Sequence, residues 1–370
     1  MMPALFWICA AVAGLMLALH LASVLLAVPL RRKVATGPLP AVTLLRPVCG
    51  LDRFDAETLE SSFTQDHPDF RLIFCAARAD DPAVGLLRRL IAAHPAVPAT
   101  LLIGEDRISG NPKLNNLQKG WAEAETPFVA MADSNLLLPP DYLRELAGTW
   151  DPGCGLVTSP AVGTRPEGLW GAVECAFLNT NQARLQLAAD RLGFGFAQGK
   201  TLCWQRDLLN QAGGLRALGG NLAEDVAATK VVRGQGRHVR LTARPFAQPI
   251  GKRRAADVWA RQLRWSKVRR DGFPAVFLME PLNGALLPGL AMAGAVALSS
   301  LQVTALPLYL AIWYGAEAAL ARAHGWPMRG RDLLALPLRD VLMPALWLAT
   351  FRSRSFVWRG TALAPQPERA

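Results

Sequence analysis

The chain has 370 residues, 51% of them hydrophobic, and a formal net charge of +11 at pH 7. That length accommodates one large domain or two smaller ones. The positive balance favours an anionic partner, and a lipid surface or a nucleotide diphosphate fits at least as well as nucleic acid; no nucleic-acid motif is present, so no nucleic-acid partner is expected. The six cysteines show no Cys-x-x-Cys spacing and read as buried free thiols in a reducing compartment.

Residues 3–30 contain no formal charge and one histidine, His20. The run is long enough to span a bilayer. The basic cluster Arg31-Arg32-Lys33 follows the apolar run instead of preceding it, which is the wrong order for a cleaved signal peptide. The positive-inside rule then sets the N-terminus outside and the rest of the chain in the cytoplasm, so 1–33 is an uncleaved transmembrane anchor.

Residues 34–282 read as a soluble α/β domain. Short β-like runs fall at 41–45, 70–76, 99–103, 128–132 and 155–158. Helical patterns lie between them at 56–63, at 82–93 with Asp81 as N-cap, and at 115–124. Strands alternating with helices predict a mainly parallel sheet, and ligands of such sheets bind beyond the carboxyl ends of the strands. Charged and polar residues stand there: Asp80 and Asp81 after the second run, Lys113, Asn115 and Asn116 after the third, Asp133 directly after the fourth. Glu224 and Asp225 open a further helical run at 226–232. Each has a plain structural alternative, a helix cap for Asp81, a strand-end turn for Asp133, dipole complementation for Glu224 and Asp225. Gly193–Gly199 lacks the lysine and the strand–helix context of a phosphate-binding P-loop.

A basic interfacial helix is predicted at 255–270. In it Arg261, Arg264 and Trp265 are spaced i, i+3, i+4 and share one face. Guanidinium grips phosphate in a bidentate manner and stays charged, while an indole offers a flat wall to a sugar or lipid head. Beyond Pro281 the chain turns apolar. Residues 284–301 and 303–321 predict two membrane helices, and 333–351, interrupted by Arg339 and Asp340, a re-entrant or interfacial segment. A cytoplasmic tail at 352–370 keeps Arg352, Arg354, Arg359 and Arg369 inside. The expected division is therefore an anchor (1–33), an α/β domain (34–282), membrane helices (283–351) and a tail (352–370).

Taken together, Asp81, Asp133, Asp225, Arg261 and Arg264 are parts for displacing a nucleoside diphosphate from an activated sugar by an alcohol. Carboxylates at strand ends can hold Mg²⁺ or Mn²⁺, arginines add positive charge where the leaving group becomes anionic, and a third carboxylate can take the hydroxyl proton.

The order of these residues resembles the family-2-like glycosyltransferases, and more narrowly the ceramide glucosyltransferases, a family-21-like group with bacterial members. Arg46–Asp52, Asp80–Pro82, Ile103-Gly104, Asn111–Leu117, Ala132–Ser134, Gln211–Leu215, Ala223–Asp225 and Phe356–Gly360 match that family's landmarks in order, over about 40–360. The resemblance implies a GT-A (Rossmann-like, mixed but mainly parallel) fold. It implies UDP-glucose as donor, ceramide as acceptor, a divalent metal and inversion at the anomeric carbon. It also implies donor contacts from Asp81, Lys113, Asn115, Asp133, Arg261, Arg264 and Trp265, metal ligation by Asp133 and general-base catalysis by Asp225. Asp133-Ser134-Asn135 departs from the family's usual Asp-x-Asp in its second acid, which leaves the metal's other protein ligands unassigned. High alanine and arginine content points to a bacterial inner membrane. Diacylglycerol or a hopanoid alcohol as acceptor, and a processive polysaccharide synthase, are the alternative readings; the latter needs more membrane helices than this chain offers.

Overall fold

The computed structural model describes residues 2–29, 39–353, 356–358 and 361–363. The basic cluster Arg31-Arg32-Lys33, which carried the orientation argument, lies outside the described residues, as do Arg354, Arg359, Gly360 and 364–370. The strands run β1 (Val42–Val48), β2 (Phe70–Ala76), β3 (Ala99–Ile103), β4 (Phe128–Ala132), β5 (Cys154–Thr158), β6 (Ala161–Glu167), β7 (Thr201–Gln205), β8 (His238–Leu241) and β9 (Phe246–Lys252). The main helices are α1 (Met2–Ala27), α2 (Asp55–Glu60), α3 (Pro82–Ala93), α4 (Pro112–Glu123), α5 (Tyr142–Thr149), α6 (Gly168–Ala176), α7 (Arg184–Arg191), α8 (Arg206–Gln211), α9 (Glu224–Gly234), α10 (Ala255–Gly272), α11 (Pro274–Leu278), α12 (Leu286–Ala297), α13 (Ala305–Ala323) and α14 (Gly330–Thr350).

Two compact units result, each built from separated stretches of chain. One comprises, of the described residues, 39–161, 192–249, 356–358 and 361–363. Its centre is a sheet of seven strands, among the described residues, in the order β3-β2-β1-β4-β7-β5-β8. β1 pairs in parallel with β2 and β4, and β2 with β3, while β7 runs antiparallel to both β4 and β5. Parallel strands covered on both faces are near-continuously apolar, and Leu44, Leu45, Leu72, Phe74, Val129 and Ala130 are all inaccessible. Helix α4 lies close on the sheet at Gly120, where an added Cβ would come within 2.6 Å of Cys75 Sγ. Asn116 Nδ2 also donates to the carbonyls of Val48 and Cys75 at the ends of β1 and β2. Those contacts fix the N-terminal end of α4 beside the carboxyl ends of the strands.

The other unit comprises, of the described residues, 2–29, 162–191 and 250–353. By length and composition α1 (over Ala4–Ala27) and α14 can cross a bilayer. Leu5, Trp7, Ile8, Leu15, Leu19 and Leu25 on α1 are at least half exposed, a surface suited to lipid. α12 has 12 residues, about 18 Å at 1.5 Å per residue, and ends well short of the expected 284–301 span. The chain between α6 and α7 is a π-helix at Phe177–Ala183, from which Asn179 holds both the N–H and the C=O of Gly163. Arg339 and Asp340, which break the hydropathy of α14, are completely buried. Arg339 pairs with Glu317 of α13 at 2.8 Å and with Asp340 at 2.7 Å.

Candidate functional site

Asp133 follows β4 directly, and β7 enters the sheet antiparallel beside it, so the residue preceding β7, Lys200, stands opposite. The Asp133 N–H donates to the Lys200 carbonyl. Lys200 Nζ reaches Asp133 Oδ2 at 2.9 Å and Asn135 Oδ1 at 2.9 Å. From the other side Lys113, in the first turn of α4, reaches Asp133 Oδ1 at 2.7 Å. Each carboxylate oxygen therefore faces an ammonium. Burial disfavours the charged form of Asp133, but the two lysines outweigh it and hold the carboxyl well below the usual carboxylate range. Lys113 is likewise opposed by burial and held above the ordinary ammonium range by Asp133 and Glu224.

The start of α9 supplies the other half. Glu224 Oε1 accepts from Lys113 Nζ at 2.6 Å, and its Oε2 accepts from Asn111 Nδ2 at 3.1 Å. Asn111 is also the N-cap of α4, accepting from the Lys113 N–H, so one amide ties the two helix starts together. Asp225 accepts from the Gly199 N–H at 3.0 Å, and Lys113 Nζ donates to the Gly199 carbonyl at 2.7 Å. A Cβ at residue 199 would lie 2.9 Å from Glu224 Oε1 and 3.4 Å from Asp225 Oδ2, which is why glycine stands there. Burial pushes the Asp225 carboxyl up to about 6, the adjacent Glu224 carboxylate adding to the push against the Gly199 N–H and Lys113. A carboxylate of that proton affinity suits a general base near neutral pH.

A buried arginine supports the Asp133 turn. Arg46 on β1 donates through Nη2 to the carbonyls of Thr58, Ser134 and Leu136, and burial pulls its guanidinium down to about 10.

The remaining expected residues of this unit also have structural partners. Asp81 caps α3, accepting from Ala83 N–H, and also accepts from Gly50 N–H at 2.9 Å, so it fixes the turn after β1. Asn115 lies inside α4, where its Oδ1 accepts the N–H groups of Ile108 and Ser109 and braces that loop from within. In the helical unit α10 does bring Arg261 and Trp265 onto one face, with the guanidinium carbon 5.7 Å from the ring centroid. Arg261 pairs with the buried Glu174 at 2.8 Å, and Trp265 packs against Cys175, Leu178 and Ile250. Arg264 is half-buried on the same helix. Lys200, immediately after Gly193–Gly199, and Glu224 are two charged groups of this site that carry no local sequence signal of their part in it.

The model for glycosyl transferase family 21 matches residues 5–370. The chain belongs to that family. Similar proteins include ceramide glucosyltransferase 1 of Caenorhabditis elegans, 30% identical over 71% of this chain and 57% of that protein. Ceramide glucosyltransferase 3 of the same organism is 28% identical over 88% and 71%. The ceramide glucosyltransferase of Komagataella phaffii is 25% identical over 88% and 83%. The family 21 chain thus spans little more than half the length of the first of these. Among solved structures, a mannosyltransferase from Pyrobaculum calidifontis in complex with GDP-Man and Mn²⁺ superposes with a TM-score of 0.52 at 18% identity, covering 92% of this chain and 99% of that one. The fold is the GT-A arrangement the sequence implied, with a mixed, mainly parallel sheet.

Proposed function

We propose that this family 21 member is a membrane-bound inverting glycosyltransferase that moves glucose from UDP-glucose to the primary hydroxyl of ceramide. The observation that carries the reading is the run of charged groups along one sheet edge, Lys200–Asp133–Lys113–Glu224, with Asp225 hydrogen-bonded next to it on Gly199. In the reaction the acceptor oxygen attacks the anomeric carbon from the face opposite the diphosphate. The anomeric C–O bond breaks with its electron pair leaving on the β-phosphate, and the hydroxyl proton passes to Asp225. Asp81 is assigned to the uridine, and Lys113 and Asn115 to the donor side. Arg261, Arg264 and Trp265 are assigned to the diphosphate and acceptor by their match to the family motif.

The mannosyltransferase with the similar fold holds Mn²⁺. Here Asp133 would be the ligand of a divalent cation, yet both its oxygens are engaged by ammonium groups, and Asn135 stands where a second carboxylate would back it. No cluster of three His, Cys, Asp or Glu ligands occurs among the described residues. As arranged, these residues do not fit a cation, and no step above passes through one.

The proposed location is a bacterial inner membrane with the α/β unit on the cytoplasmic side, in line with the apolar helices α1 and α14. Detergent-solubilised chain given labelled UDP-glucose and ceramide, diacylglycerol or a hopanoid alcohol tests the whole reading. The expected product is glucosylceramide of inverted configuration plus UDP. Transfer to diacylglycerol without transfer to ceramide would reassign the acceptor, and release of a polymer would reassign the reaction.

A further inference from the structure

We propose that Lys200 is a ligand of the donor's diphosphate, held on Asp133 until the nucleotide arrives; this rests on the UDP-sugar reading above. Three observations lead to it. First, the backbone at 199–200 is fixed from both sides. Gly199 is tied to Asp225 and Lys113, the Lys200 N–H donates to Gln198 Oε1 at 2.7 Å, and the Lys200 carbonyl accepts from Asp133. The ammonium is thereby delivered to the carboxyl end of β4, the edge of a parallel sheet where ligands bind. Second, Lys200 and Lys113 converge on a single carboxylate, so two cations share one counter-ion at Asp133. Lys113 has Glu224 as a further carboxylate partner. Third, Lys200 leans on the amide oxygen of Asn135, a dipole that holds an ammonium less strongly than a carboxylate would. Its side chain keeps 12% of its surface exposed, enough to be reached from solvent.

A diphosphate carries more negative charge than Asp133 and offers several acceptor oxygens. Turning from Asp133 to the β-phosphate exchanges a carboxylate contact for one with a group whose charge grows as the sugar departs. That is the condition under which a cation accelerates the chemical step and not just binding.

The test is titration calorimetry of the full chain with UDP and with uridine, in buffer containing EDTA so that no divalent cation supplies the attraction. Wild type is expected to bind UDP far more tightly than uridine. Lys200→Ala is expected to weaken UDP binding by roughly tenfold to a hundredfold and to leave uridine binding within about twofold, as loss of one charge-assisted contact predicts. Lys200→Arg should recover most of the UDP affinity. Equal losses for UDP and uridine in Lys200→Ala would mean a merely structural ion pair and overturn the proposal, as would unchanged UDP affinity. Wild-type UDP binding that returns with Mg²⁺ but is absent in EDTA would sink the Lys200 assignment and leave the donor reading standing. No UDP binding under either condition would sink both.

Discussion

Asp225 owes its character to where it is held. Burial first, and the neighbouring Glu224 second, raise its carboxyl from 3.8 to about 6. If it is the base, its ionised form is required, so log kcat falls with unit slope below about pH 6 and levels above it; a flat profile from pH 5 to 8 would remove Asp225 from the role. Asp225→Asn should lower kcat by roughly 10²–10⁴-fold while UDP affinity stays within about threefold. Stability moves the other way. A carboxyl whose folded pKa lies above its unfolded value favours the folded state fully below about 4, and that contribution is lost as pH rises through about 6. At pH 7.5 Asp225→Asn should therefore raise the melting temperature, by the equivalent of about 1–3 kcal/mol at roughly 1.4 kcal/mol per pKa unit. A variant both inactive and more stable is the signature of a residue held against its own preference.

Helix α4 is the element on which the site depends, because it carries Asn111 and Lys113 and is seated on the sheet through Gly120. Alanine there would gain about 1 kcal/mol in helix propensity. It would also place a methyl 2.6 Å from Cys75 Sγ and 3.2 Å from Leu45 Cδ2, an overpacking that costs about 1–3 kcal/mol. The second effect wins, so Gly120→Ala should lower the melting temperature, and in shifting the helix start it should weaken the Lys113–Asp133 pair and slow transfer. Much at this scale was legible from local pattern. β2, β3, β4 and α3 fall at the residues that apolar runs and the Asp81-Pro82 cap indicate. β7 was not legible, because Leu202, Cys203 and Trp204 are buried on both faces and show no alternation, and its antiparallel insertion is decided by β4 and β5, some seventy and forty-five residues earlier. Lys200 was lost with it, since nothing local announces that the residue after a glycine-rich loop faces Asp133. Asn115 shows another limit of local pattern: that its Oδ1 also braces the loop at Ile108 and Ser109 depends on how the helix start meets that loop, which spacing does not reveal.

At the scale of the molecule the chain is wound so that neither compact unit is continuous in sequence, and hydropathy along the chain could suggest apolar ends around a polar middle but not that 162–191 belongs with the ends. Hydropathy also could not show what surrounds the charges of α14. Arg339 and Asp340 interrupt the apolar run, and in the folded unit the pair is met by Glu317, Thr180 and Tyr314, away from any surface. Arg339→Met should destabilise by about 3–5 kcal/mol, because two buried carboxylates lose their counter-ion. Replacing Glu317, Arg339 and Asp340 together by Gln, Met and Asn should recover much of that loss in a thermal melt; a triple variant as unstable as the single one would refute the account.

If α13 and α14 insert into the bilayer, that ion cluster also constrains biogenesis. α13 leaves the ribosome before α14, carrying Glu317 with no arginine yet made to neutralise it, and a lone carboxylate in hydrocarbon costs a few kcal/mol. On that membrane reading α13 should linger at the insertion machinery until α14 is synthesised, and the two should partition into lipid as a couple. A nascent chain halted before residue 330 would be left with an orphaned acid in its last helix, the kind of lesion that membrane quality-control proteases recognise.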